Sequence, residues 1–329
     1  MTTSQYNLKV QKRVAVVSFI LFAVKMFAWY VTGSVAILTD ALESIVNVLA
    51  AFIGVFSLFV SAKPKDADHP YGHGKVEFIT AAIEGTLILV AGFFIIYEAV
   101  DSILKPTAII KLDWGIVLVA ATALVNYVLG SICLRTGKKN NSLALISSGK
   151  HLHSDTYTTI GIVLGLVVLY FTKIWWIDCA IAILFSFILI YTGYKIIRSS
   201  VAGIMDEADE DLLNNLVLSL NENRTENWID LHNLRIIKYG PTLHLDCHLT
   251  VPWYFNVIEA HQEVDNLAAL VKNKYGESVE LFVHSDACME NSCKICYKQN
   301  CAVRQFAFSE KIEWNIHNIS KNKRHSTKS

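Results

Sequence analysis

Long apolar runs separated by short polar segments fill the chain from Val14 to Ile197. A helix that crosses a bilayer needs about 20 predominantly apolar residues. Six runs reach roughly that length, and we predict spanning helices at Val14 to Thr32, Val35 to Ser61, Phe78 to Leu104, Trp114 to Leu134, Leu143 to Phe171 and Ile174 to Ile197. The pattern therefore predicts a six-helix transmembrane bundle.

From Asp206 onward the pattern changes to that of a water-soluble domain. It predicts a helix, two strands, a second helix and a third strand, at Asp209 to Leu220, Leu231 to Tyr239, Thr242 to Val251, Val257 to Tyr275 and Ser278 to His284. Gly240-Pro241 supplies the turn between the first two strands. This order predicts a small α+β domain with a helix-backed three-stranded sheet, and so small a core favours a dimer.

The composition agrees with a membrane protein that carries a soluble domain. Of the 329 residues, 53% are hydrophobic and 18% are charged, and the mean hydropathy is +0.38. The formal net charge is zero, so electrostatics suggests no nucleic-acid partner. We divide the chain into a cytoplasmic N-terminal segment (1–13), a transmembrane domain (14–200), a cytoplasmic domain (206–286) and a cysteine-containing basic tail (287–329), whose end, Lys321 to Lys328, we expect to be solvated.

The distribution of basic residues predicts the orientation of the spans. The linkers after the first, third and fifth spans contain Lys105, Lys111 and Lys173, whereas the other side holds Lys9, Lys12, Arg13, Lys63, Lys65, Lys75, Arg135, Lys138, Lys139, Lys150, Lys195 and Arg198. The positive-inside rule therefore places both termini in the cytoplasm. The polar N-terminus and the long first run favour an uncleaved span over a signal peptide. Compact loops without a targeting peptide lead us to expect the bacterial inner (plasma) membrane.

Ionisable side chains within the spans are candidates for a functional site, because burying them in a membrane is costly. Glu43 and Asn47 in the second span, like His151 and Asp155 in the fifth, stand four residues apart and share a helix face. Two helices presenting these pairs to each other could form a four-ligand cage whose carboxylates balance a divalent cation. Asp40 lies on the same stripe and is a further candidate. Interhelical hydrogen bonding is the alternative, strongest for Asp40, which has no obvious counterpart in the fifth span.

The loop between the second and third spans reads KPKDADHPYGHGKVE. Asp66, His69 and His73 can converge in it, because Pro70 and Gly72 permit a compact turn. We therefore expect a labile metal site at these three residues. A hydrogen-bonded loop that caps the next helix is the alternative, since two histidines in a turn are not specific to metal sites.

The soluble domain is rich in histidine, mostly at predicted strand ends or at the start of a helix. The candidate metal ligands are His232, His244, His248, His261, His284 and Asp286. Imidazoles and a carboxylate contributed by several elements are what a zinc-type site requires. Any single one of these histidines could equally be a surface or half-buried, hydrogen-bonded residue.

Seven cysteines are present, and four of them stand in the tail. Cys288, Cys293, Cys296 and Cys301 have the spacing C-x4-C-x2-C-x4-C. Four thiolates could bind zinc tetrahedrally, and the first three have the spacing of a plant-type iron–sulfur loop, although the fourth lies nearer than such a cluster usually takes it. Reduced thiols and redox-regulated cysteines are the alternatives, since a cytoplasmic domain is not expected to hold disulfides.

Several segments together resemble the cation diffusion facilitators, a family of dimeric metal/proton antiporters. The resemblance covers roughly residues 10 to 286 and rests on GSVAILTDALESIVN, DADHPYGHGKVE, HLHSDTYTTIGIVLG, HNLRIIKYGPT, the strand with His248, the helix with His261 and the HSD segment at 284–286. It implies a six-helix transport domain, a cytoplasmic ferredoxin-like (metallochaperone-like) domain that dimerises and binds metal, and efflux driven by proton influx.

By position, the resemblance implies three kinds of metal site and one structural contact. Glu43, Asn47, His151 and Asp155 resemble the transport site, and Asp66, His69 and His73 the loop site. The cytoplasmic sites correspond to His232, His248, His261, His284 and Asp286, and Lys75 with Asp206 is similar to a charge interlock between the two domains. In the second span the family usually has His or Asp followed four residues later by Asp, so the pair Glu43 and Asn47 leaves the choice of metal open.

These observations favour a homodimeric transporter that exports Zn²⁺, Fe²⁺ or a similar ion in exchange for protons. The metal would be both substrate and regulator, and we expect no organic cofactor. The alternative is a membrane-anchored metal sensor or buffer that acts through its cytoplasmic domain, although an anchor would not need buried ionisable groups. An enzyme finds little support, since no nucleophile and base stand out together.

Overall fold

The computed structural model of the chain describes residues 3–61, 63–105, 111–139, 143–239, 242–276 and 279–326. They form two compact units, one of Met1–Leu58 with Ile79–Val201 and the other of Phe59–Phe78 with Ala202–Ser329. The first unit contains the apolar helices. The second contains the soluble domain together with the loop that carries Asp66, His69 and His73.

Six long helices correspond one to one to the predicted spans. They are α1 (Thr3–Thr32), α2 (Val35–Ser61), α3 (Val76–Leu104), α4 (Leu112–Lys139), α5 (Leu143–Thr172) and α6 (Trp176–Ile204). Within the described residues, five of them are long and apolar enough to cross a membrane. The other, α2, has 27 residues and carries Asp40, Glu43 and Asn47. The predicted six-helix bundle is therefore confirmed.

Several helices extend beyond the apolar runs that predicted them. α1 begins at Thr3 rather than at Val14, and α6 continues to Ile204 rather than ending at Ile197. The difference arises because hydropathy marks only the part of a helix that matches the bilayer core, whereas backbone hydrogen bonding continues through polar residues.

Glycines let two pairs of helices approach closely. A Cβ atom added at Gly149 in α5 would lie 2.8 Å from the carbonyl oxygen of Gly130 in α4. Likewise, a Cβ at Gly193 in α6 would lie 2.8 Å from the carbonyl oxygen of Gly85 in α3. Small residues at such contacts are typical of membrane bundles, where van der Waals packing of close backbones drives association.

The soluble domain follows the predicted order of elements. It comprises α7 (Glu210–Glu222), β1 (Asp230–Tyr239), β2 (Thr242–Val251), α8 (Val257–Tyr275) and β3 (Val279–Ala287). β1 and β2 are antiparallel, β2 and β3 are parallel, and the sheet order is β1-β2-β3. The α8 crossover provides the parallel connection. The predicted turn at Gly240-Pro241 and the predicted first strand residue, Ser278, lie outside the described residues.

Hydrogen-bonded caps begin both long helices of this domain, and strand pairing determines where β3 ends. Asp209 caps α7 by accepting a hydrogen bond from the backbone N–H of Leu212 at 2.8 Å. A capping box between Asn256 and Glu259 begins α8. β3 continues three residues past the predicted end at His284, because it pairs with β2 as far as Ala287.

The tail folds back onto the domain, whereas most described residues of its predicted solvated end, 321–323 and 326, are exposed. A short helix, α9 (Ile316–Ile319), follows Trp314, and Trp314 and Ile319 are buried in the same core as α7 and the sheet. The backbone N–H of Asn233 donates to the carbonyl oxygen of Lys321 at 2.9 Å. Within the same end, Arg324 is half-buried.

Candidate metal centres

A cavity of about 240 Å³ lies among the helices of the first unit. Its lining includes all four residues predicted for the intramembrane cage, Glu43 and Asn47 from α2 and His151 and Asp155 from α5. The two i, i+4 pairs thus face the same space, as their helical spacing predicts. Much of the remaining lining comes from α3 and α6 and is largely apolar, with Ile88, Ala91, Ile188 and Leu189 among its residues.

Asp155 is the residue on which the contacts of the cage converge. The side-chain amide of Asn47 donates a hydrogen bond to Asp155 Oδ2 at 3.1 Å, and His151 Nε2 lies 3.9 Å from the same oxygen. The Asp155 carboxylate is 13% exposed, whereas the His151 ring is 51% exposed. The set therefore combines a largely buried charge with an accessible imidazole, which suits the capture of an ion from the cavity.

Asp40, the further candidate, is engaged in a buried ion pair. Lys25 Nζ in α1 lies 2.9 Å from Asp40 Oδ1, and both side chains are 2% exposed. The hydroxyl of Thr159 in α5 donates to the same oxygen at 2.7 Å, and Lys25 also donates to Ser44 at 3.0 Å. Lys25 was not among the predicted site residues, although a lysine in the middle of an apolar run is itself a signal.

Glu84 and Asp178 are carboxylates inside the predicted spans that were not among the predicted site residues. Glu84 of α3 lines the cavity together with the predicted cage. Asp178 of α6 accepts hydrogen bonds from the Ser34 hydroxyl at 2.5 Å and from the Val35 backbone N–H at 2.7 Å. Asp178 thus supplies acceptors to the first turn of α2, where a negative charge is favourable. Each carboxylate inside an apolar run could have been identified by the same cost argument that identified Glu43.

In the second unit, Asp66, His69 and His73 come together as predicted. Asp66 Oδ1 lies 3.1 Å from His69 Nδ1, and Asp66 Oδ2 lies 3.4 Å from His73 Nε2. One ligand atom of each residue lies within 4.8 Å of the others. The backbone N–H of His69 donates to Asp66 and, with both histidines, lowers the pKa of that carboxyl. The group is thus ionised at neutral pH, as a metal ligand must be.

A second convergent triad lies on the sheet. It consists of His232 in β1, His248 in β2 and Asp286 in β3, with one ligand atom of each within 4.8 Å of the others. Asp286 Oδ2 lies 3.6 Å from His232 Nε2 and 3.3 Å from His248 Nδ1. Burial lowers the pKa of His232, which favours the neutral imidazole that binds metal.

The other predicted ligands of this domain differ in position. His284 lies beside the triad, with Nε2 3.6 Å from Asp286 Oδ1. His261 on α8 is 72% exposed and lies 3.7 Å from Asp265, so it is not among the residues that converge. His244 is buried, and its Nδ1 lies 3.2 Å from Glu280.

The predicted interlock pair and the cysteine cluster also lie in the second unit. Lys75 Nζ donates to Asp206 Oδ2 at 2.9 Å, an ion pair that raises the pKa of Lys75 despite its partial burial. A small pocket of about 20 Å³ is lined by all four tail cysteines, Cys288, Cys293, Cys296 and Cys301.

Comparison with known proteins matches both parts of the chain. Residues 12–205 match the family model described as the cation efflux transmembrane domain. Residues 209–288 match the model described as the cytoplasmic domain of cation efflux proteins. An uncharacterized transporter of Synechocystis sp. is 32% identical over 237 residues, which cover 72% of this chain and 76% of the relative.

Two further relatives have more specific names. The cation-efflux pump FieF of Shewanella oneidensis is 26% identical over 288 residues, covering 86% of this chain and 96% of the pump. The magnetosome protein MamM of Magnetospirillum gryphiswaldense is 28% identical over 275 residues, which cover 82% of this chain and 85% of MamM. With both family models matched in the predicted order, the chain belongs to the cation diffusion facilitators, a family of multi-pass cation efflux transporters rather than enzymes.

Proposed function

We propose that the protein exports a divalent transition-metal ion from the cytoplasm in exchange for protons, with Zn²⁺ the first candidate and Fe²⁺ the second. The observation that supports this proposal is the shared cavity of Glu43, Asn47, His151 and Asp155. Two carboxylates contribute a charge of about −2, which neutralises a divalent ion in a medium where bare charge is costly. The imidazole adds the nitrogen ligand that zinc and iron accept more readily than magnesium or calcium do.

Proton exchange is the natural counterpart of metal binding at such a site. The imidazole and the carboxylates bind metal only when deprotonated, so an arriving ion displaces protons. When the bundle reorients to the outside, protons arriving at the same side chains help to expel the ion. Asp155 is central to both steps, because Asn47 and His151 both face its Oδ2.

The triads of the second unit would act as regulatory or entry sites for the same ion. We further propose a homodimer formed through the cytoplasmic domain, with both termini in the cytoplasm of a bacterial inner membrane. The family match of residues 209–288 supports the assembly, and the basic residues on one side of the spans support the orientation.

A membrane-anchored metal sensor or buffer is the second candidate. It is favoured by the fact that, among the described residues, both groups whose ligand atoms lie within 4.8 Å belong to the second unit. A sensor would bind metal at these triads without moving it across the membrane.

Flux into sealed proteoliposomes distinguishes the two functions. Purified protein with an imposed pH gradient should accumulate Zn²⁺ or Fe²⁺, and Asp155→Ala should nearly abolish that flux. Asp113→Ala is a matched control, since Asp113 is a carboxylate on the exposed surface of α4. Flux in Asp155→Ala at the rate of the unsubstituted protein would refute the proposed transport site. Metal binding without flux in the unsubstituted protein would favour the sensor.

A further inference from the structure

The tail carries a set of side chains that the transport function does not use. The family model of the cytoplasmic domain ends at residue 288, and the structure continues from there with a 3₁₀ helix at Glu290–Lys294. Cys288, Cys293, Cys296 and Cys301 line one pocket in this extension. Four thiols at a common pocket are the ligand set of a tetrahedral zinc site or of an iron–sulfur cluster.

The cysteines are held in place by the core of the domain. Ile295 and Cys296 are 1% and 6% exposed and pack against Ile229, with Cys288 and Ile312 beside them. Cys288 directly follows the last residue of β3. The ligand positions are therefore carried by a strand end and a buried turn, which is the rigid support that a metal site needs.

Hydrogen bonds around the pocket resemble the outer shell of a thiolate site. The backbone N–H of Trp253 donates to Cys288 Sγ at 3.4 Å, and such N–H to sulfur contacts stabilise metal-bound thiolates. Arg304 donates to the carbonyl oxygens of Cys293 at 2.9 Å and Cys296 at 3.0 Å. It therefore closes the turn that carries two of the four sulfurs.

The charge around the pocket suits an anionic centre. Four thiolates with a core of charge about +2 leave about −2, and Arg304 and Lys298 both line the pocket. Lys298 forms an ion pair with Glu226 at 2.8 Å, whereas the guanidinium of Arg304 donates hydrogen bonds to backbone carbonyl groups. An anionic thiolate centre would thus lie beside the guanidinium of Arg304, and no carboxylate among the residues that line this pocket neutralises that positive charge.

We propose that Cys288, Cys293, Cys296 and Cys301 bind a metal centre through their four sulfurs, with an iron–sulfur cluster as its content. The sulfur spacing favours the cluster. A tetrahedral zinc site with Zn–S bonds of about 2.3 Å holds its sulfurs roughly 3.8 Å apart. Among the described residues, only the two histidine–carboxylate triads have three ligand atoms within 4.8 Å of one another, so no three of the four sulfurs are gathered that closely.

The test uses the full-length protein, purified without oxygen, with the two histidine–carboxylate triads of the second unit removed; acid-labile sulfide distinguishes a cluster from iron at the transport site. In the background variant H69A/H73A/H232A/H248A, iron and acid-labile sulfide should be present in equal molar amounts, with visible absorption typical of a cluster. Adding Cys293→Ser and Cys296→Ser should remove both. Cys133→Ala is the control, since Cys133 is a buried cysteine of α4 remote in sequence from the tail.

A second measurement does not depend on the folding of the cysteine variants. In the unsubstituted protein, the four thiols should be protected from maleimide labelling and should become reactive after chelation. If the protein holds one zinc ion per chain and the double cysteine variant lacks it, the four-thiolate site stands and the iron–sulfur content is overturned in favour of zinc. Equal metal content with and without the cysteines, and equal labelling before and after chelation, would overturn the proposal.

Discussion

Arg324 Nη2 lies 2.9 Å from Oδ1 of Asp286, the carboxylate whose other oxygen faces His232 and His248. The tail thereby brings a fixed positive charge to the metal triad of the sheet. His284 faces the same Oδ1 at 3.6 Å, so the guanidinium occupies a position where a second cation would have an imidazole and a carboxylate oxygen as ligands. Arg324 and a bound metal ion would thus both interact with the negative charge of Asp286, and the positive charge of Arg324 would oppose metal binding.

Replacing Arg324 with alanine should tighten metal binding at the triad. The Arg324 side chain is 33% exposed, and partly exposed ion pairs are worth up to about 1 kcal/mol. The dissociation constant for Zn²⁺ should therefore fall by up to about fivefold. Calorimetric titration of an H69A/H73A background, which lacks the loop site, would measure the change.

Lys321→Ala provides the matched control for this prediction. Lys321 is a basic residue of the same tail, and its side chain is exposed, so its loss should leave the dissociation constant unchanged. Weaker zinc binding in Arg324→Ala would contradict competition and would indicate that Arg324 holds Asp286 in place for the metal.

Burial of His244 predicts that the soluble domain loses stability in acid. Burial lowers the pKa of His244 below its ordinary value of 6.5, although Glu280 opposes the shift and Lys65 adds to it. The unfolded chain therefore binds a proton more readily than the folded domain does. The contribution of His244 to the free energy of unfolding is therefore fully present above pH 6.5 and decreases as the pH falls below that value.

Hydrogen exchange of the β2 amides, measured with chelator present, would test this prediction. The protection factors of these amides, the ratio of the intrinsic to the observed exchange rate, should fall as the pH drops below 6.5, and His244→Phe should weaken that fall. Phenylalanine keeps the ring contacts with Tyr71 and Tyr239. His261→Phe replaces an exposed histidine and should change nothing. An identical pH profile in His244→Phe would assign the effect to another group, such as His232.

The sequence predicted best those elements whose pattern is local. β2 and α8 have the predicted bounds, Thr242–Val251 and Val257–Tyr275, because strand alternation and helical spacing are read directly from neighbouring residues. The i, i+4 pairs of α2 and α5 share a cavity for the same reason. Local pattern is thus sufficient where one helix or strand determines the outcome.

What the sequence did not reveal depends on contacts between distant segments. Lys25 and Asp40 are paired across two helices, and nothing local to either residue indicates the other. No fold was predicted for the tail, yet Trp314 completes the core of the domain. Trp314 stands between Ile312 and Ile316 in a short alternation of apolar and polar residues, which alone does not indicate the segment against which it packs.

The buried pair predicts that Lys25→Met is strongly destabilising. It leaves the Asp40 carboxylate uncompensated among groups that are 2% exposed, a loss that typically costs about 3–5 kcal/mol. The monodisperse fraction after mild detergent extraction should fall sharply. The double variant K25M/D40N should recover it, because the amide can still accept the hydrogen bond from Thr159.

The same double variant separates the two interpretations of Asp40. If the pair is structural, K25M/D40N should fold and retain zinc flux in proteoliposomes. A double variant that folds but transports nothing would instead make Asp40 part of the metal pathway. Failure of the double variant to recover the fold would show that the pair is not the reason for the instability of Lys25→Met.

The amide of Asn47 predicts how protons are coupled to metal in the proposed transport site. Asn47 donates to Asp155 Oδ2 at 3.1 Å, so it stabilises the charged carboxylate without carrying a charge itself. Asn47→Asp would place two carboxylates at that separation. Like charges so close cannot both ionise readily, so the pair would retain a shared proton until a metal displaces it.

Each metal bound by Asn47→Asp should therefore release about one more proton than in the unsubstituted protein. The apparent KM for Zn²⁺ should then rise more steeply as the cytoplasmic pH falls, with a slope of log KM against pH steeper by about one. The added carboxylate oxygen should also shift preference from Zn²⁺ toward Fe²⁺ and Mn²⁺, because harder ions favour oxygen ligands. Thr192→Val, which changes an uncharged residue of the same cavity, should leave the slope unaltered. An unchanged slope in Asn47→Asp would mean that Asn47 and Asp155 do not bind the ion together.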